Sequence, residues 1–161
     1  MAEGEIIIDD GIVTKIPYDG INKYTCEVLT FLQSLNLECV PEILEVNNEF
    51  LRYRYVEGEV LGPELHTGLE RIKTLHQVLE LKMAMDKCWK VFYDVSIEKL
   101  KTNQFLYHND LHLDNIVYDF DTKRLVLLDL ESFCIGWDYV PLAYLGSHFY
   151  HELEKLLIQL R

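Results

Sequence analysis

Residues 105–132 read FLYHNDLHLDNIVYDFDTKRLVLLDLES, and this stretch decides the fold. NIVYDF (115–120) and RLVLLDL (124–130) have the composition of strands, and Asp121, Thr122 and Lys123 between them make a polar turn. The pattern predicts a hairpin folded about Thr122. In that register Asn115 and Asp129 are equidistant from the turn and sit side by side at its open end, with Cβ atoms about 5 Å apart. An amide oxygen and a carboxylate so placed suit Mg²⁺, which takes one or two carboxylates and completes its shell with substrate phosphates and water. Asp110, five residues before Asn115 on the approaching loop, faces the same point. A carboxylate there can orient an attacking hydroxyl and accept its proton.

Working outward, EIII (5–8) and IVTKI (12–16) are rich in β-branched residues and meet at Asp9-Asp10-Gly11, a hairpin signal. From Asn22 the spacing becomes helical, with Tyr24, Val28, Phe31 or Leu32, and Leu35 on one face, and Pro41 stops it. PEILEV (41–46) and EFLRYRYVEG (49–58) form a second hairpin around Asn47-Asn48, with Leu51, Tyr53 and Tyr55 on one side and Arg52, Arg54 and Val56 on the other. Gly58, Gly62 and Pro63 mark a linker. Beyond it, Leu65, Leu69, Ile72, Leu75 and Leu79 recur at helical spacing. A second set, Met85, Trp89 and Phe92, indicates a change of face and therefore two helices within 64–95. The fold expected is α+β and bilobal: a small antiparallel sheet with one helix in 1–58, and a mostly helical unit carrying the catalytic hairpin in 59–161.

The 161 residues are 49% hydrophobic, enough for one domain or two small lobes around a cleft. A net charge of -12 repels nucleic-acid backbones and anionic membranes, and it attracts cationic small molecules. Asp114, Glu131 and Asp138 strengthen that bias around the expected site. Cys26, Cys39, Cys88 and Cys134 stand far apart without zinc-site spacing and read as reduced core residues. With no secretory signal and no apolar run of about 18 residues, a cytoplasmic protein is expected.

The segment His108-Asn109-Asp110-Leu111-His112-Leu113-Asp114-Asn115 resembles the HxDxxxxN catalytic loop of the protein kinase-like superfamily, and Asp129 falls where its metal-binding aspartate belongs. His112, the Leu-Asp-Leu-Glu run ending at Glu131 and the later YVPLAYLGSHF resemble the aminoglycoside phosphotransferase and choline/ethanolamine kinase branch. The resemblance implies transfer of the ATP γ-phosphoryl group to a hydroxyl acceptor, with Asp110 as the base and Asn115 and Asp129 as Mg²⁺ ligands. Glu131 is the candidate contact for a further metal. His108 belongs to the catalytic loop, where holding the loop by hydrogen bonds is its expected part. Lys15 resembles the lysine that holds the α- and β-phosphates, Glu27 its ion-pair partner, and LRYRYVEGEVL the strand and hinge that cradle adenine.

The family's glycine-rich phosphate cover is not recognisable before the first strand, and no APE motif follows Asp129. These departures support two alternatives: a pseudokinase-type module that binds another protein, or a compact RIO-like protein kinase. A partner chain or a second copy could complete the phosphate cover.

Overall fold

The computed structural model describes residues 4–62, 69–137 and 140–160. Strands β1 (Gly4–Asp9) and β2 (Ile12–Pro17) pair antiparallel through the expected turn, in which Asp10 and Gly11 take φ of 47° and 71°. Left-handed backbone at both positions is what a two-residue hairpin needs, and Asp-Gly supplies it at low cost. Helix α1 (Lys23–Leu35) follows, started by the Asn22 side chain accepting from Thr25 N at 2.9 Å. Strands β3 (Ile43–Val46) and β4 (Leu51–Arg54) complete a four-stranded sheet of order β1-β2-β4-β3. Val28, Leu29 and Leu32 of α1 are buried, and the helix packs on β3.

After Gly58 the chain leaves this sheet. Strand β5 (Glu59–Val60) joins β7 (Ile116–Asp119) and β8 (Arg124–Leu127) in a three-stranded sheet, while β6 (Phe105–His108) pairs with β9 (Phe133–Gly136). The helical stretch expected from residue 64 is a short 3-10 turn at Leu69–Arg71 and then one helix, α2 (Leu75–Lys99); residues 64–68, with Leu65, lie outside the described residues. The Thr74 and Gln77 side chains cap its start reciprocally. No break separates Met85, Trp89 and Phe92 from the preceding turns. The buried face runs through Val78, Leu81, Met85, Cys88, Phe92 and Ser96, whereas Leu75 and Leu79 point to solvent. Helix α2 packs against β6, β8 and α3 (Val140–Gln159). Among the described residues no helix is long and apolar enough to cross a membrane. All four cysteines are free thiols, Cys39 and Cys88 buried.

The hairpin of β7 and β8 differs from the expected register by one residue. Ile116 pairs with Leu127 and Asp119 with Arg124, so the fold centre lies between Asp121 and Thr122. The cause is the turn. The Asp119 carboxylate accepts from Asp121 N, Thr122 N and Thr122 Oγ1, and Lys123 takes φ 61°, which fixes a four-residue connection. Asn115 therefore stands opposite Leu128, whose N–H donates to the Asn115 carbonyl at 2.8 Å, and not opposite Asp129.

Candidate active site

The pairing of β6 with β9 carries the site. His108, at the end of β6, is fully buried against the ring of Phe133, 4.9 Å between centroids. Its Nε2 bonds the Leu128 carbonyl at 2.7 Å, and its Nδ1 accepts from Asp110 N at 3.3 Å. A carbonyl can only accept, so Nε2 carries the hydrogen and the ring is neutral. Burial pushes the imidazole below its ordinary value, partly opposed by the Leu128 carbonyl and the charges of Asp129 and Asp110. Both nitrogens of His108 are thus engaged inside the protein, tying the loop to the strand exit at Leu128.

The loop from Asn109 to Asn115 is tied back by Asn109 N donating to Ser132 O at 2.8 Å. Asp110 projects a half-exposed carboxylate. Asn115 closes the loop with its Nδ2 donating to the Asp110 carbonyl at 2.8 Å and lying 3.2 Å from His112 Nε2. His112 Nδ1 is 3.4 Å from Asp114 Oδ2, and its Nε2 is 3.6 Å from Asp110 Oδ2.

Asp129 follows β8 with φ 53° and ψ 60°, a left-handed residue that turns the chain out of the strand. Its Oδ2 accepts from Ser132 Oγ at 2.6 Å, and its Oδ1 from Lys15 Nζ at 2.9 Å. The same ammonium is 2.8 Å from Glu131 Oε1. Burial opposes the charge on Asp129, but the Ser132 hydroxyl and the Lys15 ammonium outweigh it and hold the carboxyl below its ordinary value. Burial likewise opposes the charge on Lys15, and Glu131 and Asp129 together raise it above the usual lysine value. Tyr53 lies in the same field, its phenol pushed up chiefly by burial.

Lys15 thus joins the first sheet to the segment after the β7–β8 hairpin, but the expected Lys15–Glu27 pair is not formed. Glu27 is solvent-exposed on α1, 3.8 Å from Lys23, because burying Val28 and Leu29 turns it aside. Glu131 takes its place. Asp138 lies outside the described residues. Ser132 and Tyr24 were not anticipated. Tyr24 Oη donates to Ile135 O at 2.9 Å and accepts from Ile135 N at 2.8 Å, fastening α1 to β9. A signal for Ser132 existed, a hydroxyl three residues after an aspartate at the start of a single turn; for Tyr24 there was none, since its partner is 111 residues away. Tyr55 and Glu57, from the segment expected to cradle adenine, line a cavity of about 730 Å³ with Cys39, Cys88, Lys123 and Leu125; Lys15, Asp110, Asn115, Asp129 and Glu131 do not border it.

The oxygens at this site form a hard donor set. Among the described residues Glu131 Oε2 is buried without a hydrogen-bond partner, the Asp129 carboxyl is held below its ordinary value, and the amide of Asn115 spends its nitrogen on the loop. Carboxylate and amide oxygens are the donor types that Mg²⁺ takes. Among the described residues no three His, Cys, Asp or Glu side chains gather as a metal cluster.

A half-buried lysine between two acids thus stands beside a loop that presents a further carboxylate and a constrained amide, in a kinase-like α+β fold. The chain belongs to the phosphotransferase enzyme family, whose model matches residues 26–159. No curated protein matches it. Among solved structures it is similar to the kinase PK-1 of Cydia pomonella granulovirus, with 22% identity and a TM-score of 0.52 over 77% of this chain and 43% of that one. It is also similar to a choline/ethanolamine kinase family protein from Mesorhizobium loti (14%, TM-score 0.49, 91% of this chain and 66% of that one). A third is the GDP and kanamycin complex of APH(2")-IIia (14%, TM-score 0.46, 92% and 76%). The chain spans less than half the length of the viral kinase and just under two thirds of the bacterial protein.

Proposed function

We propose that this chain transfers the γ-phosphoryl group of ATP to the hydroxyl of a small acceptor. The observation that carries the reading is Lys15 reaching from the first sheet to within 2.9 Å of both Asp129 and Glu131, beside the loop of Asp110 and Asn115. Family membership supports the reaction class. Residues 1–58 would then form the nucleotide-binding unit and 59–161 the catalytic unit. The departure of β5 from the first sheet after Gly58 supports that division.

In this mechanism the half-exposed Asp110 carboxylate orients the acceptor hydroxyl and takes its proton as the new phosphorus–oxygen bond forms, while the bond from the γ-phosphorus to the bridging oxygen breaks and ADP leaves. Lys15 places its charge on the phosphates. Asn115, Asp129 and Glu131 would hold Mg²⁺, which when bound supplies neutralisation of phosphate charge. Strand register puts Ile6 opposite Lys15 and Ile8 opposite Val13, so both isoleucines share the lysine's face and offer an apolar surface for a base. Asp110, Asp114 and Glu131, in a chain of net charge -12, favour a cationic acceptor.

The test is calorimetric titration of ATP with and without Mg²⁺, followed by phosphoryl transfer to a panel of amine-bearing alcohols, on wild type and Asp129→Asn. Metal-dependent binding and turnover in wild type, both lost in the variant, are expected. Turnover retained by Asp129→Asn would remove the site assignment. Nucleotide-independent capture of a protein would favour the pseudokinase-type module.

A further inference from the structure

We propose that Asp114 and His112 act as a positioning pair that fixes the direction of the Asn115 amide, and so decides whether its oxygen is available to a cation. This inference rests on the phosphotransferase reading of the site.

The Asp110 carbonyl only accepts, so the group 2.8 Å from it must be the nitrogen of the Asn115 amide. That nitrogen has a second N–H, and His112 Nε2 lies 3.2 Å away. Two donors cannot face each other, so Nε2 presents its lone pair and the ring hydrogen sits on Nδ1. Nδ1 lies 3.4 Å from Asp114 Oδ2, an ion-pair contact without hydrogen-bond geometry, and the negative charge there favours the tautomer with its hydrogen on Nδ1. Asp110 Oδ2, 3.6 Å from Nε2, is too distant for a hydrogen bond and does not compete. Both amide hydrogens are thereby used inside the loop, and Oδ1 is the end that remains.

Asp114 is itself held from behind. A Cβ added to Gly62 would fall 1.6 Å from Asp114 Oδ1, so only glycine lets the carboxylate lie there. Asp114 Oδ1 is buried and has no hydrogen-bond partner among the described residues. A buried acceptor left unsatisfied is costly, and solubility does not explain it. The charge its other oxygen places 3.4 Å from His112 Nδ1 does. The series Gly62, Asp114, His112, Asn115 runs from the segment after β5 to the candidate cation site. A carboxylate that orients a histidine, which in turn orients a ligand, is a recognised way of tuning a metal site at one remove.

The first measurement is the His112 tautomer by nitrogen NMR on histidine-labelled protein, where protonation at Nδ1 is expected; protonation at Nε2 alone would overturn the proposal. The second is Mn²⁺ affinity in the presence of ATP. His112→Ala should weaken Mn²⁺ binding about 10- to 100-fold, the effect typical of such supporting groups. His112→Gln, whose side-chain oxygen can accept from Asn115 Nδ2, should restore most of it. Asp114→Asn should fall between the two. Thermal melts identify variants that fail to fold, and for these the wild-type tautomer decides the question. Equal Mn²⁺ affinity in wild type and folded His112→Ala, with Asp129→Asn defective, would overturn this proposal alone. Wild type that binds no Mn²⁺, or Asp129→Asn that binds as wild type does, would sink the phosphotransferase reading and this inference with it.

Discussion

Replacing Lys15 with methionine removes the one ammonium that contacts both Asp129 and Glu131. The three side chains retain only 20%, 8% and 14% of their exposure, so the two acids are left nearly buried and facing the same vacated point. Deleting one member of a buried ion pair typically costs ~3–5 kcal/mol, because the abandoned charge pays its desolvation without compensation. Water still reaches one fifth of Lys15, which places Lys15→Met near the lower end, at ~3 kcal/mol. For a chain of this size each kcal/mol moves Tm by ~2–4 °C, so a fall of ~6–12 °C is expected at pH 7. The loss has a definite pH window. Asp129 titrates below its ordinary 3.8 in the folded protein, so its share is present above that value and disappears as pH falls through the depressed one. Lys15 titrates above its ordinary 10.5, so its share is present below that value and disappears as pH rises through the raised one. The difference between wild type and variant should therefore form a plateau between about pH 4 and 10 and shrink at both ends. Millimolar Mn²⁺ should stabilise the variant more than wild type, because the carboxylates no longer have a competing ammonium. Urea and thermal denaturation across pH check all three features. A variant as stable as wild type at pH 7, or a deficit that grows on acidification, would refute the reasoning.

Four further outcomes follow from other parts of the molecule. Tyr24→Phe should lose both bonds to Ile135 and cost ~1–2 kcal/mol, read by chemical denaturation, with increased hydrogen exchange at Ile135 N. Ser96→Ala should cost ~1–3 kcal/mol, because the buried Ser96 hydroxyl is the acceptor for Leu106 N at 2.9 Å and alanine leaves that N–H unsatisfied. His108 is held neutral below its ordinary 6.5, so the unfolded chain binds its proton first as pH falls. Wild-type stability should then decline below about pH 6.5, with a slope approaching ~1.4 kcal/mol per unit, and His108→Gln should flatten that slope. At Asp129, where φ is 53°, Asp129→Gly should be more stable than Asp129→Ala by ~1 kcal/mol, although neither can restore the carboxylate.

Much of the local structure was legible because the signals are local. Asp10-Gly11 specifies a turn through backbone sterics, Asn22 caps the helix it precedes, and the two β hairpins of the first sheet form where their turn residues place them. Helix α2 was legible as helix but not as one helix. It carries apolar residues on both sides, with Leu75, Leu79, Met83, Tyr93 and Ile97 exposed, and periodicity alone cannot say which stripe meets the core. At the site, Asp110, Asn115, Asp129 and Lys15 could be named from the sequence, but the partner of Lys15 could not. Glu27 and Glu131 are equally acidic. The choice between them depends on α1 burying Val28 and Leu29, and on a turn at Asp129 that no propensity fixes.

That turn is where the reading of the hairpin was most exposed to error. Side chains alternate along a strand, so an extended continuation of β8 would send Asp129 to the face already occupied by Leu125 and Leu127, both buried. An unpaired carboxylate there would be expensive. The one-residue change of register should by itself have removed Asp129 from the site. The left-handed conformation at Asp129 compensates: it breaks the alternation at a residue that tolerates positive φ better than most, and the following turn lets Ser132 and Lys15 each take one carboxylate oxygen. The hydrogen bonds that lower the Asp129 pKa also repay the backbone strain, and both depend on the same turn. The position of the acid is therefore set by the exit from the strand and not by the strand's register.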